Sequence, residues 1–215
     1  HVDHTQLKPF ATWEDIEKLC DEAIKYHTAS VCVPPAYIKR IADKYKDAIN
    51  ICTVVGFPLG YSVTKAKAAE VEEALKDGAN EIDMVVNISD VKNHLFDKVE
   101  EEIRTLKKAC GGHILKVIIE TALLTEEEIV TACRLCVEAG ADFVKTSTGF
   151  ANRGASVADI MLMRRSLPGG VRIKASGGIR TRTAALALLA AGADRIGSSN
   201  SLALLEEPSH ETSAT

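Results

Sequence analysis

The chain is short of long apolar runs, of aromatic side chains and of any large excess of one charge. No stretch reaches the roughly 18 consecutive apolar residues a membrane span requires, so no membrane partner is expected. Lys and Arg number 26 against 30 Asp and Glu, a formal net charge of −4. That balance argues against nucleic acid as a partner but leaves room for a local basic pocket that takes a small phosphate. The first strand-like run is not followed by G-x-G-x-x-G, and no break in composition marks a second domain, which weighs against a doubly wound dinucleotide-binding sheet. Cys20, Cys32, Cys52, Cys110, Cys133 and Cys136 lack the dense spacing of a small secreted scaffold, so reduced thiols and a cytoplasmic location are expected. Cys133 and Cys136 form a C-x-x-C without a second pair or a histidine partner. They read as packed helix residues, and no metal is expected.

What the chain does have is an ordinary globular composition, 46% hydrophobic and 26% charged, and a repeating rhythm. Divided by eight, its 215 residues leave about 27 per unit, close to the roughly 30 that a strand, turn and helix need. Short β-rich runs alternate with helical ones. VDHTQL precedes a helix near 12–26, SVCV one near 35–46, NICTVVGF one near 62–78, and NEIDMVVN one near 90–109. HILKVIIE, DFVKTSTG, VRIKASGG and DRIGSS precede helices near 125–139, 156–166, 180–191 and 199–206. The strands are rich in Val and Ile and read as lacking polar alternation, as parallel strands covered by helices do. Thr12 with Glu14 and Asp15, and Thr125 with Glu128, have helix-capping spacings. DGANEID recurs in altered form as AGADFVK and AGADRIG, each marking a helix stop before the next strand. The expected fold is an α/β, (β/α)8 TIM barrel in a single domain, residues 1–207, with 208–215 a disordered tail. The chain opens at His1 and residues 2–7 already look like a strand, so the native N-terminus is expected upstream.

Asp83, Lys116, Lys145 and Lys174 stand inside otherwise apolar strands. One such residue is readily explained by pointing outward; four on successive units are not, because an unpaired buried ion costs several kcal/mol. In parallel barrels such groups belong to the active site. Lys145 and Lys174 fall on neighbouring strands, where burial and an ammonium neighbour would depress a lysine pKa from about 10.4. A neutral amine attacks a carbonyl to give an imine, whose protonated form stabilises the enamine left when a carbon–carbon bond breaks, and Asp83 is available to move protons. Ser176, Gly177 and Gly178 after the seventh strand, with Gly197, Ser198 and Ser199 after the eighth, lie where barrels bind phosphate.

Together the runs VDHTQLKP, EIDMVVN, LKVIIET, VKTSTGF, IKASGGIR and RIGSS resemble the deoxyribose-phosphate aldolase family, in order and over nearly the whole chain. The resemblance implies reversible cleavage of 2-deoxy-D-ribose 5-phosphate to D-glyceraldehyde 3-phosphate and acetaldehyde, in deoxyribonucleotide catabolism, with no cofactor or metal. It implies catalytic Lys145 as the imine-forming lysine, Asp83 as proton relay and Lys174 as the perturbing second lysine. It further implies Gly177, Gly178, Ser198 and Ser199 as phosphate contacts, and Lys116 and Thr146 as pocket residues beside the imine. Asp3, Thr5 and Leu7 match a first strand with polar groups near the substrate. Phe150 stands where some members carry a lysine, so one basic phosphate contact is expected to be missing. A leading helix is implied upstream of His1, as is a homo-oligomer, dimer or tetramer. Cys32 is read as a structural thiol, and His4, beside the barrel mouth, as a structural hydrogen-bonding group. The alternative is another sugar-phosphate barrel enzyme, an isomerase or synthase, which needs the phosphate loops but not two lysines on adjacent strands; a non-catalytic barrel that binds a phosphorylated metabolite is a third.

Overall fold

A computed structural model describes residues 1–205. Eight parallel strands close into a barrel: β1 (Val2–Thr5), β2 (Ser30–Val33), β3 (Ile51–Val55), β4 (Glu81–Val85), β5 (Ile114–Ile118), β6 (Phe143–Lys145), β7 (Arg172–Ser176) and β8 (Arg195–Ser198). Each pairs with the next, and β8 returns to β1 through Ile196 opposite Val2 and Ser198 opposite His4. The helices are α1 (Trp13–Lys25), α2 (Ile38–Tyr45), α3 (Thr64–Lys76), α4 (Ile88–Lys92), α5 (Phe96–Ala109), α6 (Glu126–Glu138), α7 (Val157–Ser166), α8 (Arg182–Ala190) and α9 (Ser201–Leu205). The expected barrel limit at residue 207 and the tail 208–215 lie outside the described residues.

Local chemistry sets the joints. Thr12 and Asp15 form a capping box on α1, and Thr125 and Glu128 form one on α6. The recurring Gly-Ala-Asn/Asp phrase does more than stop a helix. Its glycine takes a positive φ, 117° at Gly192, which only glycine adopts without strain. The following alanine closes the helix: Ala79, Ala141 and Ala193 donate to Ala74, Cys136 and Leu188. The third residue then fixes register, because the side chains of Asn80, Asp142 and Asp194 accept the N–H of Ile51, Leu115 and Ile173 at 2.8, 2.8 and 2.7 Å. One short motif thus ties β4, β6 and β8 to the strand before each.

Three expectations need correction. The helix near 90–109 is two helices, because His94 enters the left-handed region (φ 58°) and the Leu95 N–H turns back to Asp90 O. No glycine or proline announces this stop. The helix near 35–46 opens with a 3₁₀ turn at Pro35–Tyr37, where Pro34 and Pro35 direct the chain. Most importantly, the strands do alternate. Ile82, Met84, Leu115, Val117, Val144, Ile173 and Ile196 face the helices in one aliphatic core. The intervening positions face the barrel axis and carry Asp3, Ser30, Cys32, Cys52, Glu81, Asp83, Lys116, Phe143, Lys145, Lys174 and Arg195. Low down, the Phe143 ring plugs the axis with Arg172 4.1 Å and Arg195 5.3 Å from its centre.

His4 points the other way, to the helix layer, where Nε2 meets Glu22 of α1 at 2.8 Å. All six cysteines are free and buried, and Cys133 and Cys136 pack in the core from α6. No helix among the described residues is long and apolar enough to cross a membrane.

Candidate active site

Parallel register sets the four strand charges in two adjoining levels: Asp83 lies opposite Lys116, and Lys145 lies opposite Lys174 two residues further along, since Lys116 itself faces Phe143. Asp83 is the hub. One carboxylate oxygen, Oδ2, receives Lys145 Nζ at 2.7 Å and Lys174 Nζ at 2.8 Å; the other, Oδ1, receives Lys116 Nζ at 2.9 Å and the Cys52 thiol at 3.1 Å. A second tier lies beneath. Asp3 contacts Lys174 at 2.6 Å and accepts from Arg195 and the Ser30 hydroxyl at 2.7 Å each, while Glu81 pairs with Lys116 and with Arg195. Three carboxylates therefore face four basic side chains inside the barrel.

Burial alone would raise the pKa of Asp83, but Lys116, Lys145 and Lys174 outweigh it and hold the carboxyl well below its usual range. Burial likewise opposes the charge on Lys174, yet Asp3 and Asp83 prevail and its pKa lies well above that of an ordinary lysine. Lys116 is raised for the same reason. The expectation that burial beside another ammonium would make these lysines poorer bases thus fails for Lys174, which is held as a cation by two carboxylates.

Above this cluster opens a cavity of about 290 Å³ at the C-terminal ends of the strands. Of the four strand charges only Lys145 lines it; Asp83 and Lys174 lie behind Lys145 with no measurable exposure. Gly177, Gly178, Ser198 and Ser199 line it, as do Thr5 and Leu7. Gly177 and Gly178 take successive positive φ values of 84° and 74°, and their N–H groups have no partner among the described residues. Such a turn presents backbone donors to an anion. The Ser198 hydroxyl is already committed to Ile179 O at 2.8 Å, which ties the loop after β8 to the loop after β7.

Lys116 and Thr146 are not on the cavity wall, contrary to expectation. Lys116 is drawn down between Asp83 and Glu81. Thr146 is buried, its hydroxyl donating to Ser176 O at 3.2 Å and accepting Ser176 N–H at 3.1 Å, so it fastens the loop after Lys145 to β7. Asp3 also lies below the cavity. Phe150 stands half exposed on the rim, edge-on to Phe57 with ring centres 5.3 Å apart. Sequence reasoning passed over Cys52, Glu81 and Arg195, whose inward placement follows only from strand alternation, and Arg180, which lines the cavity and stands inside the quoted IKASGGIR run. It also missed Glu120, a left-handed residue (φ 53°) whose carboxylate accepts the Thr148 N–H and hydroxyl and so holds the same loop.

Cys32, Cys52 and Asp83 place one ligand atom each within 4.8 Å of one another. The donor chemistry is unfavourable to a cation. Burial keeps the Cys52 thiol protonated, and both Asp83 oxygens already serve three lysine Nζ groups.

Fold and site together define a class: a single-domain α/β barrel with a lysine–aspartate–lysine cluster beneath a cavity at the C-terminal ends of the strands. Residues 1–203 match the DeoC/LacD family aldolase, and the chain belongs to that family. It is 58% identical over 206 residues to a deoxyribose-phosphate aldolase of Clostridium botulinum (strain Alaska E43 / Type E3), covering 96% of this chain and 93% of that one. Among solved structures, "QR15, an Aldolase" superposes with a TM-score of 0.91 at 40% identity, covering 94% of this chain and 91% of its own. The Aeropyrum pernix deoxyribose phosphate aldolase, described as a unique tetrameric structure, gives 0.89 at 33%, covering 95% and 87%.

Proposed function

We propose that this protein reversibly cleaves 2-deoxy-D-ribose 5-phosphate to D-glyceraldehyde 3-phosphate and acetaldehyde through an imine on Lys145. One observation carries the mechanism: Lys145 is the strand lysine that reaches the cavity, while Asp83 and Lys174 sit directly behind its amine. With Lys145 as a neutral amine, three carboxylates face three cations and the buried cluster balances. Attack of Nζ on the sugar aldehyde at C1, loss of water and uptake of one proton, which the final hydrolysis returns, give the protonated imine. A base takes the proton of the C3 hydroxyl, the C2–C3 bond breaks, and its electron pair moves into the imine to leave an enamine and the phosphorylated aldehyde. Protonation at C2 and hydrolysis release acetaldehyde and restore the amine. Asp83, shielded from the cavity, moves protons through Lys145 or a bound water, and Lys174 stands behind it as a fixed cation on the same carboxylate oxygen.

The phosphate is assigned to Gly177, Gly178, Ser198 and Ser199, with Arg180 beside them. We further assign the activity to deoxyribonucleotide catabolism in the cytoplasm, by one catalytic barrel of residues 1–207 that uses no cofactor or metal and acts as a homo-oligomer, dimer or tetramer. The names of the relatives support the substrate, and the tetramer described for the Aeropyrum pernix relative supports oligomerisation. Borohydride added with acetaldehyde should leave a two-carbon adduct on a peptide containing Lys145, read by mass. An adduct elsewhere, or none, would sink the mechanism, and full activity in Lys145→Ala would point instead to an isomerase or synthase.

A further inference from the structure

We propose that Lys8, on the loop after β1, is a phosphate-binding residue that sets the preference of this enzyme for phosphorylated substrate; this rests on the aldolase reading above. Three basic residues line the cavity: Lys145 on its floor, Arg180 on the loop after β7, and Lys8. The position of Lys8 follows from barrel closure. β1 lies beside β8 with His4 opposite Ser198, so the chain leaving β1 climbs past the Ser198–Ser199 turn and delivers Lys8 to the phosphate side of the mouth.

The loop holds that place through its backbone. The Lys8 N–H donates to Gln6 Oε1 at 3.3 Å, and the Lys8 carbonyl accepts the Ala11 N–H at 3.1 Å. The side chain is exposed and has no carboxylate within ion-pair distance among the described residues. Asp15, on which the Lys8 charge acts, is engaged by the Thr12 N–H and hydroxyl at 2.8 and 3.0 Å. The other neighbour of the ammonium is the Phe10 ring, 5.8 Å away. Across the mouth the rim is apolar, formed by Phe150 against Phe57. A phosphate carries between one and two negative charges at neutral pH. Backbone N–H groups and one guanidinium on the β7 and β8 loops would hold it from one side, and the compact, mobile charge of a lysine suits the open side.

The test compares Lys8→Met, which keeps most of the apolar stem, with wild type on 2-deoxyribose 5-phosphate and on 2-deoxyribose. The ratio of the two kcat/KM values should fall by about 10- to 100-fold, chiefly through KM for the phosphorylated sugar. Inorganic phosphate should compete with 2-deoxyribose in wild type and more weakly, by a similar factor, in Lys8→Met, and Lys8→Arg should restore most of both. Borohydride trapping of acetaldehyde on Lys145 involves no phosphate and reports whether the variant retains a working floor. An unchanged ratio with unchanged phosphate competition overturns the proposal. So does an equal loss on both sugars, which marks a structural role. If wild type traps acetaldehyde on Lys145 but turns over neither sugar, the substrate assignment falls and this inference with it; if trapping itself fails, the fault lies in the imine mechanism.

Discussion

The two faces of the same eight strands are built on opposite principles. Outward residues meet the helices as Val, Ile, Leu and Met, in one continuous aliphatic layer. Inward residues include three carboxylates and four basic groups tied by contacts of 2.6 to 3.2 Å, several of them without exposure to solvent. Barrel interiors are ordinarily filled with branched apolar side chains. Here the sleeve supplies cohesion, roughly proportional to apolar area removed from water, and the interior is given over to charge. Taking ions out of water opposes folding unless each finds partners. The difference therefore assigns stability mainly to the outer layer and chemistry to the inner one.

The sharpest way to break this division is Asp83→Asn, a change of one atom that removes the hub carboxylate. Lys116, Lys145 and Lys174 then face one another with Asp3 and Glu81 alone to balance them. We expect a loss of about 3 to 5 kcal/mol in stability, as for a buried pair stripped of one partner. We also expect kcat on 2-deoxyribose 5-phosphate to fall by about 10² to 10⁴, as for loss of a proton-transfer group. Denaturant melts and steady-state kinetics read the two effects separately. A stable, inactive variant would show that the interior is insulated from folding; an active one would remove Asp83 from the chemistry.

Leu115→Ala probes the other face. Leu115 is fully buried on the outward side of β5, one residue before Lys116. The truncation should cost about 2 to 5 kcal/mol, with kcat of the folded enzyme unchanged. A fall in kcat at full folding would mean that the sleeve sets the spacing of Lys116 and Asp83, and the division would be less clean than the packing indicates.

How much of this was legible in the sequence follows the same division. The strand–helix rhythm, the capping boxes at Thr12 and Thr125, and the anomalous Asp83, Lys145 and Lys174 are local signals, because each contrasts with its immediate neighbours. The network around them is not local. Asp83 and Lys145 are 62 positions apart and Asp83 and Lys174 are 91 apart, and closure of β8 on β1 is what brings Arg195 to Asp3. Glu81 and Arg195 stand at strand starts, where a charge looks like an ordinary surface residue until the inward face is known. Lys116 carries the same sequence signal as Lys145, yet sits lower in the barrel and is claimed by Glu81. Arg180 and Lys8 lie on loops, where a basic residue carries no contrast at all.

The smallest expected effect is the absence of one. Asp83 and Asp3 have folded-state pKa values below their ordinary 3.8, so the stability they confer is complete above that value and is lost as pH falls through the folded pKa. Lys116 and Lys174 are raised above 10.5, so their contribution is complete below 10.5 and is lost as pH rises through the folded pKa. Between those limits Asp3, Asp83, Lys116 and Lys174 should bind and release no protons on unfolding, and denaturant midpoints measured from about pH 5 to 9 should show no slope arising from these four groups. A slope that persists in that range and vanishes in Asp83→Asn would mean that a group in the cluster titrates near neutrality. Lys145 is then the first residue to examine, because its amine has a single carboxylate partner and opens onto the cavity.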